Sequence, residues 1–360
     1  MKIIFILVLQ ITIPGFLYAQ NANDQSNAYD PHDFFVSTFN PTAGNTFRSA
    51  KGTPGPMYWQ NSASYLIHAS LSEKDTSVTG DVMISYINNS PDQLDYLWLQ
   101  LDQNIFQPSS RSVAATRYPG DYFGVLGKTN GGYQIKDVTI TQGGKPYTVK
   151  PIITDTRMQL RLNTPMLAKG DKISIKINFS FIIPLDGAGR FGRQYTKNGV
   201  IYQVGQWYPR MCVYDDVEGW NTLPYMGLGE FYCDYGNYDY YITAPAEMIV
   251  YGSGDLQNAT EVLTAEQIKR LSLAATSDKT VTIVGADEAT KAAMRPATNK
   301  EHTWHFTMQH TRDVGWAAGK GMIWENSFEF KVSSFEFVQF ANSILDLKNS
   351  KLETRDSKLS

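Results

Sequence analysis

Apolar and polar residues alternate along much of the chain from Tyr58 onward. Alternation at period two places neighbouring side chains on opposite faces and predicts strands with one buried face. Clusters of Gly, Asn, Asp, Ser and Pro supply turn signals between the alternating runs. The predicted strands are Tyr65–Leu71, Val82–Tyr86, Leu97–Leu101, Tyr133–Thr141, Tyr147–Thr154, Arg157–Leu162, Lys172–Ile183, Tyr240–Ala244, Met248–Tyr251, Thr280–Val284 and Thr303–Met308.

A helical pattern begins at Thr264, in a short insertion. The Thr264 side chain can cap a helix while Gln267 reaches back to it, which is the capping-box pattern. A second short helix is predicted for Asp287–Met294. The fold class predicted from all these elements is mainly β: an antiparallel β-sandwich or saddle-like domain with a small helical insertion.

The first 19 residues have the pattern of a secretory signal peptide. Lys2 precedes an apolar run, Ile3–Leu17, and Leu17-Tyr18-Ala19 is a suitable cleavage site. The run is too short for a stable membrane span, and no later segment is long and apolar enough for one. We therefore expect a secreted or periplasmic protein whose mature chain begins near Gln20.

The remaining chain divides into three predicted segments. Residues 20–57 are rich in Asn, Asp, Ser, Thr, Pro and Gly, which predicts an extended N-terminal arm. Residues 58–326 form the predicted β domain. Residues 327–360 carry a seven-residue repeat that begins with the near-copies SFEFKVS and SFEFVQF. The repeat is either a translated DNA repeat or a heptad helix too short for a stable coiled coil, so we expect this tail to be poorly ordered or loosely helical.

Composition and charge narrow the function classes. The 360 residues carry 32 basic and 35 acidic side chains, a net charge of −3, which gives no indication of binding to nucleic acid or an anionic membrane. Aromatic residues make up 13% of the chain and charged residues 19%. That balance is typical of a secreted β-rich protein.

The segment Gln203–Asp239 concentrates aromatic side chains, carboxylates, prolines and glycines. Such a segment is either a binding loop or a rim of half-buried rings over the end of a sheet. It also contains Cys212 and Cys233. In an oxidising compartment these two residues could form a disulfide, and the alternative is a pair of buried free thiols.

Sequence motifs for catalysis are absent. The sequence has no HExxH, no GxSxG, no CxxC and no P-loop. Residues 187–192 spell GxGxxG, but no βαβ pattern surrounds them, so a glycine-rich turn is predicted. His302, His305 and His310 cluster around one predicted strand, and at their spacing His302 and His305 point to opposite faces. A metal site needs convergent ligands, so no metal ligand is predicted.

Several motifs together resemble the N-terminal domain of secreted bacterial zinc aminopeptidases of peptidase family M1, the group that contains aminopeptidase N. The resemblance covers roughly residues 58 to 325 and is strongest in the central segment. The residues that carry it are Gln206-Trp207-Tyr208-Pro209-Arg210-Met211, Val213-Tyr214-Asp215-Asp216, Gly219-Trp220, Gly229-Glu230-Phe231 and Tyr240–Pro245.

This resemblance implies a β domain that forms one side of a substrate cleft against a zinc-containing catalytic domain. Gln206 and Gln203 lie near the place where family members present a Gln or Glu to the free amino group of the substrate. A side-chain carbonyl can accept hydrogen bonds from an ammonium group. The resemblance therefore implies substrate-binding roles for Gln206 and Gln203, and a peptide partner only where a catalytic domain is present.

The catalytic residues of the family have no counterparts in this sequence. HExxH and GxMEN are absent, so zinc is expected in full-length family members and no cofactor is expected in this chain. We expect a truncated product that is inactive alone. The competing hypothesis is a stand-alone secreted β-sandwich that binds peptide or carbohydrate through its aromatic segment.

Overall fold

The computed structural model describes residues 43–115, 131–185, 191–227, 229, 231–291, 296, 300–327 and 341–342. The chain divides into two compact units, Met1–Tyr58 and Trp59–Ser360. In the first unit, residues 43–58 form bends and turns around an isolated antiparallel bridge between Arg48 and Pro54. The predicted signal peptide, residues 1–19, and most of the predicted arm lie outside the described residues.

The largest sheet in the second unit contains eight described strands, numbered here in chain order. Across the sheet they are β16 (Asp255–Leu256), β18 (Glu301–Thr311), β14 (Gly236–Pro245), β1 (Ser62–Ser72), β2 (Ser77–Asn88), β8 (Asp171–Ile182), β4 (Gln134–Gln142) and β5 (Lys145–Thr148). Burial alternates along these strands: Tyr65, Ile67, Ala69 and Leu71 are buried, whereas His68 and Ser70 are exposed. The period-two pattern therefore predicted both the strands and the buried face.

The centre of this sheet differs from the antiparallel prediction. Strands β1 and β14 pair in parallel, from Ala63 against Gly236 to Ser70 against Thr243. The other pairs of this sheet are antiparallel. Parallel neighbours need a long crossover connection, and here the crossover is the entire chain between β1 and β14. Alternation within one strand carries no information about such a distant partner.

Smaller sheets complete the described part of the second unit. The first contains, in order, β15 (Ile249–Gly252), β19 (Trp316–Gly319), β10 (Gly199–Val204) and β9 (Phe191–Thr196). The second contains β11 (Arg210–Met211), β3 (Leu94–Gln100), β7 (Arg157–Met166) and β6 (Ile152–Thr154). The others are β12 (Tyr214–Asp215) with β13 (Gly219–Trp220), and β17 (Val281–Val284) with β20 (Trp324–Asn326) and β21 (Ala341–Asn342).

The predicted strand Tyr147–Thr154 is wrong as a single element. Its first part belongs to β5, which pairs with β4, and its last part forms β6, which pairs with β7 in another sheet. Pro151 lies between them and has no backbone N–H for a ladder hydrogen bond. The chain therefore changes sheets at this point.

The described helices are short: α1 (Arg111–Ala115), α2 (Ala259–Val262), α3 (Ala265–Ala274) and a 3-10 helix at Asp102–Phe106. The capping box at the start of α3 is confirmed, since Thr264 accepts from Gln267 N–H and the Gln267 side chain accepts from Thr264 N–H. The helix predicted for Asp287–Met294 is wrong where it is described. Residues 286–290 form turns, in which the Glu288 carboxylate accepts from Gly285 N–H at 2.9 Å.

The fold class is confirmed: the second unit is mainly β with a small helical insertion. One hydrophobic core runs through its sheets, and its largest buried side chains include Trp207, Trp304, Tyr86 and Tyr202. Within the described ranges, no helix is long and apolar enough to cross a bilayer. Of the predicted tail, Ala341–Asn342 pair with β20, and nearly all of the rest lies outside the described residues.

Candidate functional site

The aromatic segment Gln203–Asp239 is mostly packed into the core. Trp207, Tyr208 and Tyr238 are almost fully buried, and the Trp207 Nε1 donates to the Val314 carbonyl at 2.9 Å. Tyr232 and Tyr235 are more than half exposed. The segment therefore resembles the predicted rim of packed rings more than a free binding loop.

A buried arginine anchors this segment. Arg210 is 2% exposed, and its guanidinium lies 2.7 Å from Asp102 Oδ2 and 2.9 Å from Asp313 Oδ2. Its charged group also lies over the Phe231 ring, 4.5 Å from the centroid. Burial opposes the charge, but the two carboxylates outweigh it, so the pKa of Arg210 lies well above its usual value. Arg210 therefore stays cationic and fixes Asp313.

Asp313 has further partners that determine its orientation. Its Oδ1 accepts from the Tyr208 hydroxyl at 2.6 Å and from Val314 N–H at 2.8 Å. The side chain remains 31% exposed. One face of a fixed carboxylate is therefore open to solvent beside the aromatic segment.

The backbone at Gln206 is in the left-handed region, with φ of 46°. Its carbonyl accepts from the Gln103 side-chain amide at 2.9 Å and from the Tyr133 hydroxyl at 3.4 Å. Gln103 also donates to the Gly205 carbonyl at 3.3 Å. Left-handed backbone is disfavoured for a residue with a Cβ, so these buried donors hold a conformation that the local sequence alone would not adopt.

A cleft of about 510 Å³ opens beside this turn. Strands β10, β15 and β19 form its base, and the loop around Asp313 forms one end. Gly252 is required in the base because a Cβ there would overlap the Tyr240 hydroxyl. The lining includes Gln203, Gln206, Tyr251, Ser253, Asp313 and Met322.

The cleft combines hydrogen-bond acceptors with apolar surface. Gln203 is exposed, Gln206 is half-buried, and both line the same cleft as the Asp313 carboxylate. Amide carbonyl and carboxylate oxygens are the acceptors that an ammonium group needs. Tyr251 and Met322 supply apolar surface nearby. The arrangement is suited to the amino end of a small peptide.

The structure places Gln203 and Gln206 in one cleft, together with Asp313, which the sequence analysis did not single out. Asp313 is more than a hundred positions from Gln206 in the chain and belongs to a different element. The Arg312–Trp324 segment has no local motif for binding. Only the pairing of β10 with β19 brings the two parts of the cleft side by side.

The histidines do not converge. The prediction that His302 and His305 face opposite ways is confirmed: His302 is buried beside the core, and His305 Nε2 lies 2.7 Å from Asp239 on the outer face. Within the described ranges, no group of three His, Cys, Asp or Glu side chains could hold a metal ion.

Cys212 and Cys233 are free thiols in the structure, the first buried and the second partly exposed. Burial raises the pKa of Cys212 to about 12 and that of Cys233 to about 11. The nearby Arg210 guanidinium opposes this rise in the pKa of both thiols, and Cys233 adds to the rise in the pKa of Cys212, so the two thiols lie in the same region. Their pairing under oxidising conditions stays a prediction.

No protein-family model matches the chain, and no curated protein matches it. Among solved structures, the chain is similar to an M1 zinc metallopeptidase from Deinococcus radiodurans, at 13% identity and a TM-score of 0.37, over 74% of this chain and 43% of that one. A mutant of that enzyme with a bound Tyr-Ser-Ala substrate gives 13% identity and a TM-score of 0.37, over 72% and 42%. The chain thus spans less than half the length of these structures.

Proposed function

We propose that this chain is a non-catalytic domain of the M1 aminopeptidase type and that its cleft binds the free amino group of a peptide. Gln206 and Gln203 accept hydrogen bonds from the ammonium group, and Asp313 supplies a negative charge at the end of the cleft. The observation that carries the proposal is that all three side chains line one cleft of about 510 Å³. The sequence resemblance independently implies this role for the two glutamines.

Chemistry on the peptide bond is not part of the proposed role. HExxH is absent from the sequence, and the described residues contain no set of metal ligands. No step of the proposed function passes through a metal ion. We therefore expect no chelator-sensitive aminopeptidase turnover by the purified chain, and reproducible turnover of that kind would overturn the non-catalytic assignment.

The binding role is tested with two forms of one tripeptide, trialanine amide with a free or an acetylated amino terminus. Titration calorimetry should detect the free amine and show at least about tenfold weaker binding of the acetylated form, because charge-assisted hydrogen bonds are lost. Equal affinity for the two forms would contradict the proposal.

Substitutions of the two glutamines test whether the free amine binds in the cleft. Gln206→Leu and Gln203→Leu should each weaken binding of the free amine by about fivefold or more, since a side-chain acceptor is removed. The matched control is Gln194→Leu, an exposed glutamine on the neighbouring strand β9 that is not part of the cleft lining. An equal loss in the control would indicate a general effect on the sheet.

The stand-alone binding module is less well supported in the form predicted from sequence. That hypothesis needs exposed rings in the aromatic segment, and Trp207, Tyr208 and Tyr238 are buried. The exposed Tyr235 is itself covered on one side by Arg312, whose charged group lies 4.8 Å from the ring centroid.

We also propose that residues 1–19 direct export of the chain. The support is the Lys2 charge followed by the apolar run Ile3–Leu17. Expression in a bacterium with an export pathway should give a mature chain that begins near Gln20 outside the cytoplasm, as determined by mass spectrometry. Leu9→Arg should leave an uncleaved cytoplasmic chain, and cleavage that persists in this variant would overturn the proposal.

A further inference from the structure

A second cavity lies on the outward face of the eight-stranded sheet, away from the core. It is a trough of about 550 Å³ that crosses β18, β14, β1, β2, β8 and β4. At a strand spacing of about 4.8 Å, six strands span about 24 Å. The side chains that line it are His68, Ser70, Thr79, Asp81, Lys136, Asp137, Asn178, Tyr241, Thr243 and Thr303.

Small hydroxyl side chains form the floor of this trough. Thr303, Thr243, Ser70 and Thr79 occupy paired positions on four adjacent strands, so they form one row perpendicular to the strands. The hydroxyls of Thr243 and Thr303 lie 2.8 Å apart and bond to each other. Ser70, Thr79 and Thr303 are exposed. The row presents donors and acceptors to whatever occupies the trough.

Taller side chains form a wall along this floor. His305, Tyr241, His68, Asp81 and Asn178 occupy the next row of paired positions, two residues along each strand. The Tyr241 ring is stacked between the two imidazoles, with centroid distances of 4.9 Å to His68 and 4.1 Å to His305. The wall therefore joins a rigid ring stack to a carboxylate and an amide.

The charges around the trough are balanced. Asp81 lies 3.9 Å from Lys176 and 3.6 Å from His68, and Lys136 is adjacent to Asp137 at the far end. The lining holds two carboxylates and one ammonium group, and Lys176 lies beside Asp81, so no large charge of one sign selects an anion or a cation. It instead offers hydroxyl, amide and carboxylate groups beside an apolar ring stack, which suits a neutral ligand that carries many hydroxyl groups.

We propose that this trough binds a neutral oligosaccharide, laid across the strands with its hydroxyl groups on the Ser/Thr floor and against Asp81 and Asn178. Extended peptides usually bind by pairing with an open sheet edge. Strands β14, β1, β2 and β8 are paired on both sides, so they offer no backbone groups to a peptide. This site is separate from the amino-group cleft, and the two proposals are independent.

The test uses the whole chain and a panel of defined probes, measured by saturation-transfer NMR and calorimetry. The neutral probes are cellohexaose, mannohexaose and chitohexaose; the other classes are an oligogalacturonate and a Ser/Thr-rich hexapeptide. We expect at least one neutral hexasaccharide to bind. Absence of binding by all three, or tighter binding of the oligogalacturonate or the peptide, would overturn the proposal.

Two variants on one strand locate the site. Thr79→Trp fills the floor of the trough and should weaken binding of the hexasaccharide at least about tenfold. The matched control is Ser85→Trp, an exposed position on the same face of β2, about 20 Å farther along the strand. The control should bind within twofold of the original chain. Equal effects of the two variants would contradict the assigned position.

A smaller substitution tests the site independently, in case Thr79→Trp does not fold. Asn178→Ala removes an amide from the wall without adding volume, and its affinity should fall about fivefold. Its urea midpoint should match that of the original chain. Unchanged affinity in Asn178→Ala, together with unchanged affinity in any soluble Thr79→Trp, would overturn the proposal.

Discussion

The side-chain amide of Gln103 donates to the backbone carbonyl of Gln206 over 2.9 Å, and it reaches the Gly205 carbonyl at 3.3 Å. Gln103 is 1% exposed and belongs to the 3-10 helix Asp102–Phe106. A buried side chain in one element thus determines the backbone of the turn that presents Gln206 to the cleft. The same 3-10 helix supplies Asp102 to Arg210.

Replacement of Gln103 by Leu should destabilise the fold. The substitution removes the shared donor of two partly buried carbonyls, which costs about 1 to 3 kcal/mol. Urea unfolding followed by Trp fluorescence measures the change in the free energy of unfolding. The control is Gln134→Leu, an exposed position on β4, which should change it by no more than about 0.5 kcal/mol. A Gln103→Leu chain as stable as the original would show that these bonds contribute little.

Gln206→Gly should stabilise the chain while it weakens amine binding. Glycine adopts a φ of 46° without the Cβ penalty, so the gain is up to about 1 kcal/mol. Gln203→Gly is the matched control on β10, where glycine in a strand should cost about 0.5 to 1 kcal/mol. The thermal midpoint should rise in Gln206→Gly and fall in Gln203→Gly. A fall in both variants would argue against strain at Gln206.

The sequence predicts local features of the fold better than it predicts which distant segments come together. The capping box at Thr264 and the strand faces follow from neighbouring residues and were predicted correctly. The parallel pairing of β1 with β14 and the meeting of Gln206 with Asp313 depend on residues far apart in the chain. A period-two pattern fixes which face of a strand is buried, but it does not select the partner strand.

In the candidate cleft, too, local residues could be predicted from the sequence and distant ones could not. Gln203 and Gln206 could be proposed in advance because the resemblance rests on a continuous motif around Trp207 and Arg210. Asp313 could not be proposed, since its position in the cleft depends on contacts with Tyr208 and Arg210. The change of sheet between β5 and β6 could have been predicted, because Pro151 interrupts a strand. The prediction of one continuous strand did not take that proline into account.

Arg210→Met should be among the most damaging single substitutions in the chain. It leaves Asp102, which is 1% exposed, and Asp313 without their cation, and loss of one partner of a buried ion pair costs about 3 to 5 kcal/mol. Lys176→Met removes an exposed cation 3.9 Å from Asp81 and should cost no more than about 1 kcal/mol. Urea midpoints compare the two variants. Similar small losses would show that the buried cluster adds little to stability.

Asp234 should make the stability of the chain depend on pH. Burial, and then the charge of Asp215, raise the pKa of Asp234 to about 6, compared with about 3.9 in an unfolded chain. The folded state therefore binds more protons between about pH 4 and pH 6, and stability falls as the pH rises through that window.

Asp234→Asn removes this titration and keeps a neutral side chain. The variant should be more stable than the original chain by about 1 to 3 kcal/mol above pH 6, and the difference should vanish near pH 4. Urea unfolding at a series of pH values gives the comparison. Asp255→Asn, at an exposed position, controls for the loss of one negative charge. A constant difference at every pH would exclude titration of Asp234 as the cause.

Cys212 and Cys233 should react slowly with thiol reagents in the folded chain. Their pKa values of about 12 and about 11 keep both as thiols at pH 8, and the thiolate is the reactive form. Labelling with Ellman's reagent at pH 8 should therefore be much slower in buffer than in urea, where the pKa returns to about 8.5. Cys233→Ser leaves only the fully buried Cys212, so the remaining reaction in buffer should be slower still. If both cysteines react in urea without reductant, they are unpaired. If neither reacts, they form a disulfide. Rapid reaction of Cys212 in the folded chain would contradict its burial, and rapid reaction of Cys233 would contradict its raised pKa.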